Sequence, residues 1–350
     1  MELIECIHSI KDHIDNILNN YLSNKELINK YLDKDINEIV FIASGTSYNA
    51  SKVTRYFAYN ECQIKTSFFY PNDFLHYSTY INEDALYILV SQGGSTKMVF
   101  DSLELIKSKG LKHLTITEKL DSPIALSSDL AIEMGSDDEP FLYRTLGYST
   151  TVATVWLIET IISLKQGLIN KEKESDILNN IKKAISNIEP IISKTEKWYQ
   201  ANRFSLLKRN KIILAGACDF YETSNEADIK LMEMIPMYSR SFELEELIHG
   251  PQNAFDDDTI FFLLTNKKYG EEKVIKTAEF LKKEIGYCAM VGDVTYDERD
   301  LKINFLSDGL EVLEEITAFQ VIAYYMATDR GRDLKRGINT SLKNYINKSL

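Results

Sequence analysis

The sequence contains little cysteine, proline or glycine, and each shortage excludes a class of protein. Its four cysteines form no C-x-x-C pair and lie far apart, at Cys6, Cys62, Cys218 and Cys288. A disulfide scaffold or a structural zinc site is therefore not expected, and the five scattered histidines give no metal-binding motif. Only 6 prolines and 15 glycines occur in 350 residues, which excludes collagen-like and long low-complexity tracts.

An excess of positive charge and a long apolar run are also absent. Lys and Arg number 40 against 52 Asp and Glu, a net charge of −12. Binding to nucleic acid or to an anionic membrane surface requires clustered positive charge, so neither partner is expected. The N-terminus has no apolar signal core, and the apolar stretch over 150–164 is broken by Glu159 and too short for a bilayer. These features predict a cytoplasmic protein, which could still bind a small anion through backbone amides.

What the sequence does contain is a repeated strand–loop–helix pattern. Apolar runs over 38–43 and 85–90 each end in a loop of small polar residues and are followed by apolar positions at helical spacing. Gly110 stands where a helix C-cap glycine is expected, and 113–117 forms the next apolar run. Alternating strands and helices predict a parallel sheet with helices on both faces.

The same pattern begins again in the second half of the chain. Long helices over 147–165 and 171–202 are predicted to precede strands over 211–215, 260–264 and 288–291, with helices over 224–235, 270–285 and 312–328. We therefore predict an α/β fold with two tandem, flavodoxin-like domains. Their expected limits are 1–165 and 206–350, joined by a helical connection over 166–205.

Two loops of the first half have the composition of an anion site. Gly45-Thr46-Ser47 and Ser91-Gln92-Gly93-Gly94-Ser95-Thr96 each follow a strand and open a helix, and Tyr148-Ser149-Thr150 opens a third helix. Helix N-termini at the carboxyl edge of a parallel sheet favour a phosphate monoester. The alternative is that these serines are ordinary N-caps. Neither G-x-x-x-x-G-K-[ST] nor G-x-G-x-x-G occurs after a strand, so nucleotide sites are not predicted.

The second half has candidates for acid–base chemistry. Glu226, Lys230 and Glu233 lie at i, i+4 and i+7, on one stripe of a predicted helix. They form either a solvated ion pair or a carboxylate base held beside a lysine. His249 precedes Gly250-Pro251, so it must lie at a turn with its ring exposed, either as a surface cap or as a group that exchanges protons near neutral pH.

In combination, these segments resemble the sugar isomerase (SIS) domain family. The likeness rests on Ser44 through Ala50, the 91–96 loop, Tyr148-Ser149-Thr150, Glu226 through Glu233 and Glu246 through Pro251, in the family's order. The chain is similar to the tandem isomerase module of glutamine–fructose-6-phosphate transaminases and to the stand-alone fructosamine-6-phosphate deglycases. The resemblance implies two tandem SIS domains.

The resemblance also implies roles for individual residues. Glu233 would move a proton between C1 and C2 of a sugar, and His249 would open the ring, reaching in from the partner subunit of a homodimer. No metal or other cofactor is implied. Glu226 and Lys230 would support Glu233. Contacts to the sugar phosphate would come from Gly45, Thr46, Ser47, Ser91, Gln92, Gly93, Ser95, Thr96 and Ser149.

Three departures from the family pattern narrow the expected activity. In the glutamine–fructose-6-phosphate transaminases a cysteine nucleophile follows the first methionine. Here Glu2 follows Met1, so glutamine-dependent transfer is not expected. The family's phosphate loop usually reads Ser-Gln-Ser-Gly-Glu-Thr. Here Gly93 and Ser95 stand in place of two polar residues of that loop. The transaminases have a lysine in their C-terminal tail at the position of Thr340. Neither Lys335 nor Lys343 aligns with that position.

The missing tail lysine favours the deglycase branch. We therefore predict a ketosamine (fructosamine) 6-phosphate deglycase that releases glucose 6-phosphate and an amine. The alternatives are an amino-sugar-phosphate isomerase or deaminase, and a non-catalytic sugar-phosphate sensor.

Overall fold

Two parallel sheets organise the chain in the computed structural model, which describes residues 2–77, 81–137 and 139–350. The first sheet has the strand order β2-β1-β3-β4-β5, and every pairing in it is parallel. All residues of β1, β3 and β4 are buried, as expected when helices cover both faces of a sheet. Its strands are β1 (Glu38–Ala43), β2 (Thr66–Phe69), β3 (Ala85–Val90), β4 (His113–Thr117) and β5 (Ala131–Glu133).

The second sheet repeats this topology. Its order is β10-β9-β8-β6-β7, again with parallel pairing, so each sheet reads 2-1-3-4-5 when its strands are numbered from its own first strand. The predicted fold class, two tandem flavodoxin-like sheets, is confirmed. The strands are β6 (Lys211–Gly216), β7 (Tyr238–Glu243), β8 (Thr259–Thr265), β9 (Tyr287–Gly292) and β10 (Leu301–Lys302).

The α-helices of the described residues alternate with these strands. Within those residues, no helix has both the length and the apolar character needed to cross a membrane. The helices are α1 (Leu3–His8), α2 (Ile10–Asn19), α3 (Tyr21–Tyr31), α4 (Thr46–Lys52), α5 (Arg55–Asn60), α6 (Pro71–Tyr77), α7 (Lys97–Ser108), α8 (Pro123–Ser127), α9 (Leu146–Lys165), α10 (Lys171–Ser186), α11 (Ile188–Leu207), α12 (Asp219–Met234), α13 (Glu271–Phe280) and α14 (Glu311–Asp329).

The chain divides into two compact units that exchange short segments. The N-terminal unit comprises 10–140, 146–181 and the tail 337–350, and it contains the first sheet. The C-terminal unit comprises the first nine residues, 141–145 and 182–336, and it contains the second sheet. The expected domain limits, with a connection over 166–205, stay a prediction.

Helix α7 illustrates how local sequence sets an element's limits. Its apolar residues Val99, Leu103 and Ile106 pack into the core of the first sheet. Gly110 adopts φ +66° and donates its amide to the Lys107 carbonyl, while the Leu111 amide donates to the Ile106 carbonyl. This is a Schellman ending, which requires a left-handed residue after the helix, and it confirms the C-cap predicted at Gly110.

Several predicted helix limits were wrong for identifiable reasons. The segment 171–202 is two helices, because Pro190 lacks the amide that would bond to Ser186 and so ends α10 before Asn187. The apolar positions over 2–31 predict helical structure, and the structure divides this segment into three helices. Helix α12 begins at Asp219 rather than 224, and α13 passes into a π-helical turn over Leu281–Ile285.

Candidate functional site

The two small-residue loops of the first sheet lie side by side. Ala43 and Val90 are paired at the carboxyl ends of β1 and β3, so the loops that leave these strands are neighbours. The strand order reverses at this point, because β2 lies on one side of β1 and β3 on the other. Ligands of open α/β sheets bind at such switch points.

The loop after β1 turns sharply into α4. Gly45 is the N-cap, with φ 58° and ψ −136°, a backbone conformation that side chains disfavour. A Cβ at this position would meet nothing within 4 Å, so the glycine is required by conformation and not by crowding. Thr46 and Ser47 follow in the first turn and are half-buried.

The loop after β3 is tighter and partly buried. Ser91 and Thr96 meet directly, with 3.1 Å between their hydroxyl oxygens. Gly94 has φ +62°, and a Cβ there would lie 2.2 Å from the Ser122 Oγ. Gln92 is buried, and its Nε2 has no hydrogen-bond partner among the described residues. The loop therefore offers a buried amide donor beside two hydroxyl groups.

The helix start at 146–150 differs from the other two. The carboxylate of Glu139 accepts the amides of Leu146 and Gly147, at 3.2 and 3.0 Å. An internal anion thus already lies at this helix N-terminus. Ser149 is fully buried in the first turn of α9, so its hydroxyl is not accessible from the surface in this structure.

The tail of the chain pairs with the 91–96 loop, which the sequence did not predict. Ser349 forms an antiparallel bridge with Thr96, and the Leu350 amide donates to the Ser95 carbonyl at 2.9 Å. The Lys97 amide, at the first residue of α7, donates to the Lys348 carbonyl at 3.1 Å. The tail therefore occupies a backbone donor at the start of α7.

Neither Lys335 nor Lys343 lies at this loop. Lys335 belongs to the C-terminal unit and forms an ion pair with Glu2 at 3.4 Å. Lys343 lies on an exposed 3₁₀ turn over Thr340–Asn344. Irregular segments of this kind have no periodicity, so the place where the tail docks follows from the three-dimensional fold and not from the sequence pattern.

Helix α12 of the C-terminal unit holds the predicted acid–base stripe. The Lys230 Nζ lies 3.3 Å from the Glu226 Oε1 and also bonds to the Glu233 Oε1. Glu226 and Lys230 are fully buried, whereas the side chain of Glu233 is 34% exposed. The alternative of a solvated surface pair is therefore wrong for Glu226 and Lys230.

The electrostatics of the stripe favour a charged Lys230. Burial alone would lower the pKa of Lys230, but the negative charges of Glu226 and Glu233 outweigh it and raise that pKa above its ordinary value. Glu233 is thus held beside a buried cation with part of its carboxylate open to solvent.

His249 lies at a turn, as predicted. It ends a 3₁₀ turn over Glu246–Ile248, and its side chain is 58% exposed. The Nδ1 atom is 2.8 Å from the backbone carbonyl oxygen of Glu245. Because a carbonyl only accepts, Nδ1 must donate, which leaves Nε2 of the neutral ring as a free proton acceptor.

The candidate residues fall into two groups by unit. The loop residues from Gly45 to Thr96, together with Ser149, belong to the N-terminal unit. Glu226, Lys230, Glu233 and His249 belong to the C-terminal unit. Within these groups, the Ser91 and Thr96 hydroxyls contact each other, and Lys230 contacts both Glu226 and Glu233.

The fold and its loops define a tandem α/β protein with one topology used twice. Residues 34–163 match the model of the SIS domain family. It is 24% identical over 326 residues to the glutamine–fructose-6-phosphate aminotransferase (isomerizing) of Caldanaerobacter subterraneus subsp. tengcongensis, covering 91% of this chain and 53% of that protein. The Haemophilus influenzae protein of the same name is 26% identical over 319 residues, with 87% and 51% covered. The chain spans about half the length of these relatives.

Solved structures share the whole fold. A candidate phosphosugar isomerase of Clostridium difficile 630 has a TM-score of 0.93 at 25% identity, covering 100% of this chain and 99% of that chain. The C-terminal domain of glucosamine-fructose-6-phosphate aminotransferase from Francisella tularensis has a TM-score of 0.85 at 18% identity, covering 95% and 96%. The second of these likenesses concerns the fold alone.

Proposed function

We propose that this chain is an enzyme acting on phosphorylated sugars, specifically a deglycase of ketosamine 6-phosphates. The observation that carries the proposal is the arrangement of Glu233, a partly exposed carboxylate bonded to the fully buried cation Lys230. The relatives named isomerizing aminotransferases, and the phosphosugar-isomerase name of the Clostridium difficile protein, support the broader class. A cytoplasmic location belongs to the same proposal.

The substrate's phosphate is assigned to the N-terminal unit. The hydroxyls of Ser47, Ser91 and Thr96 lie on adjacent loops at the switch point, and the unpaired Gln92 Nε2 adds a donor. Gly45, Thr46, Gly93 and Ser95 supply the backbone of these loops. Binding energy from a phosphate remote from the reacting carbons would position those carbons for reaction.

The chemical step is a proton transfer. A ketosamine has an amine on C1 and a carbonyl at C2, and removal of a C1 proton by Glu233 gives an enaminol. Reprotonation at C2 gives an aldimine, which water hydrolyses to glucose 6-phosphate and the free amine. One carboxylate within reach of both carbons suffices, and the ion pair with the buried Lys230 holds that carboxylate in place.

His249 is assigned to ring opening. The Nδ1 hydrogen bond to the Glu245 carbonyl orients the imidazole and leaves Nε2 to exchange a proton with the sugar's ring oxygen and hydroxyl. Its exposed position agrees with a role in a site completed by a second subunit, and a homodimer with a shared site is part of the proposal. Glu226 acts indirectly, by holding Lys230.

The experiment is a product assay on a panel of sugar phosphates. Purified protein is incubated with fructosamine 6-phosphates of different amines, with fructose 6-phosphate plus ammonia, and with glucosamine 6-phosphate. Release of glucose 6-phosphate from the ketosamines alone supports the deglycase. Turnover of only the other substrates replaces it with an amino-sugar isomerase or deaminase, and binding without any turnover replaces it with a sensor.

A pair of variants tests the phosphate assignment. Replacing Ser47 and Ser91 together by Ala is expected to weaken sugar-phosphate binding by a few kcal/mol, because hydrogen bonds to charged groups contribute about 1.5–3 kcal/mol each. Ser127→Ala is a matched control, since its hydroxyl is bonded to Glu104 on another part of the unit. An unchanged dissociation constant for glucose 6-phosphate in the double variant contradicts the assignment.

A further inference from the structure

Gly147 lies directly against a side chain of the 91–96 loop. A Cβ added at Gly147 would lie 2.3 Å from both the Nε2 and the Oε1 of Gln92, far inside van der Waals contact. Gly147 is the second residue of α9, and its φ lies outside the left-handed region. The glycine is therefore required here by the space that Gln92 fills, whereas Gly45 is required by its backbone conformation.

Glu139 holds the backbone of Gly147 in this position. Its carboxylate accepts the amides of Leu146 and Gly147, and the residue is only 3% exposed. The Glu139 amide in turn donates to the Glu118 Oε1 at 3.3 Å. Because an internal carboxylate already occupies this helix start, we assign no phosphate of a ligand to the α9 amides.

The backbone of Gln92 is fixed as well, while its amide group keeps a donor to spare. Its carbonyl accepts the Glu118 amide at 3.0 Å and the Thr117 hydroxyl at 3.1 Å. Gln92 is 9% exposed, and its Nε2 has no hydrogen-bond partner among the described residues. A buried donor without a partner is costly, and an oxygen of a bound phosphate would satisfy it.

We propose that Gly147 is a positioning residue for the sugar phosphate, and that it acts through Gln92. With no side chain at 147, the Gln92 amide lies against the first turn of α9, from where its Nε2 donates to a phosphate oxygen. A methyl group at 147 would displace that amide. Since two hydrogen bonds hold the Gln92 carbonyl, the side chain would rotate away while the loop stays in place. The proposal rests on the phosphate assignment of the proposed function, but not on the deglycase reaction.

The test is Gly147→Ala, which should separate binding from stability. Titration calorimetry with glucose 6-phosphate should show an affinity about tenfold to a hundredfold weaker, because the lost hydrogen bond is to a charged group. The melting temperature should stay the same or rise slightly, since only the end of a flexible side chain must move and alanine favours a helix. Gly110→Ala is a control with the opposite pattern. A side chain there is strained by φ +66° but meets nothing within 4 Å, so the melting temperature should fall and the affinity should not.

A double-mutant cycle tests whether Gly147 acts through Gln92. Gln92→Ala alone should weaken binding of glucose 6-phosphate by a similar factor. Adding Gly147→Ala to Gln92→Ala should weaken it no further, within about twofold, because the side chain that the methyl group displaces is already gone. Two residues that supported the loop independently would instead multiply their effects.

The outcomes are distinct from those of the reaction, because the affinity for glucose 6-phosphate is measured without turnover of any ketosamine. An unchanged affinity in Gly147→Ala overturns the proposal, and so does a full further loss in the double variant. A melting temperature that falls with the affinity in Gly147→Ala also overturns it, since the glycine would then have a structural role only. If the unaltered protein does not bind glucose 6-phosphate, the phosphate assignment and this proposal are overturned together.

Discussion

The two sheets use nearly the same backbone to present different chemistry. The turn after the first strand has φ 58° and ψ −136° at Gly45 in one sheet, and φ 57° and ψ −129° at Cys218 in the other. The loops of the first sheet carry hydroxyls, whereas those of the second carry lysines beside buried carboxyls. The fold thus fixes where a ligand can bind, and the side chains decide which ligand binds there.

The helices after these turns also differ. Helix α4 has 7 residues, whereas α12 has 16 and continues past the turn to Lys230 and Glu233. Only the longer helix can present a stripe of residues at i, i+4 and i+7. Helix α12 alone of the two therefore carries the residue proposed to transfer a proton.

The largest expected effect is the loss of turnover when the carboxylate of Glu233 is removed. Glu233→Gln keeps the size of the side chain but removes the base, so turnover of ketosamine 6-phosphates should fall about 10²–10⁴-fold. Binding of the sugar phosphate should stay within about twofold, because the phosphate loops are untouched. Steady-state kinetics measure the first quantity and calorimetry the second. Glu279→Gln, an exposed carboxylate on α13, is the control, and equal turnover in the two variants would remove Glu233 from the mechanism.

Removing the cation from the buried stripe should mainly affect stability. Lys230→Met removes the buried cation that pairs with Glu226 and should lower the free energy of unfolding by about 3–5 kcal/mol. Lys276→Met removes an exposed pair with Glu272 and should cost under about 1 kcal/mol. Urea denaturation compares the two variants. Similar losses in both would mean that burial of the Glu226–Lys230 pair has no energetic consequence.

The carboxyl group of Asp219 should make stability depend on pH. Burial, with the nearby charge of Glu311, raises the pKa of Asp219 from 3.8 to about 7. The folded protein therefore keeps a proton that the unfolded chain has released, so stability should fall as pH rises from about 4 to about 8, by up to a few kcal/mol. Asp219→Asn should flatten this slope, as measured by denaturation across the pH range. Stability of the unaltered protein rising through this window, with Asp219→Asn unchanged, contradicts the shift.

Exchanging the turn residues should give small effects of opposite sign. Gly45→Ala forces a side chain into a disfavoured conformation and should destabilise by about 1–2 kcal/mol. Glycine adopts the same conformation without strain, so Cys218→Gly should be neutral or stabilising by up to about 1 kcal/mol. The conformational entropy that the glycine loses on folding reduces this gain. Thermal melts of both variants measure this. A destabilising Cys218→Gly would indicate that the thiol's own contacts outweigh the backbone strain.

The parts of the fold that were predictable rest on local patterns. Apolar runs located β1, β3, β4, β6, β8 and β9, and Gly110 located a helix end, because each is set by neighbouring residues. The edge strand β7, with the polar alternation Tyr238-Ser239-Arg240-Ser241, and the two-residue β10 were not predicted, since their partners lie far along the chain. Edge strands have no continuous apolar signature.

The candidate site was predictable in residue type but not in environment. The spacing of Glu226, Lys230 and Glu233 predicts a stripe, but full burial of Lys230 depends on packing against β6 and α14. The hydrogen bonds between the tail and residues Ser95 and Lys97 join segments far apart in the chain, and no periodicity of the sequence indicates them. Long-range contacts of this kind come from the fold and not from the local sequence.

The proton transfer between C1 and C2 of a ketosamine 6-phosphate is proposed for Glu233. It is tested most directly with fructosamine 6-phosphate deuterated at C1, followed by NMR of the glucose 6-phosphate formed. One deuterium should leave C1 and be found at C2 or in solvent, and Glu233→Gln should abolish this loss while still binding the substrate. Release of the amine together with a ketose phosphate that keeps both deuterium atoms on C1, or label loss unaffected by Glu233→Gln, would contradict this transfer.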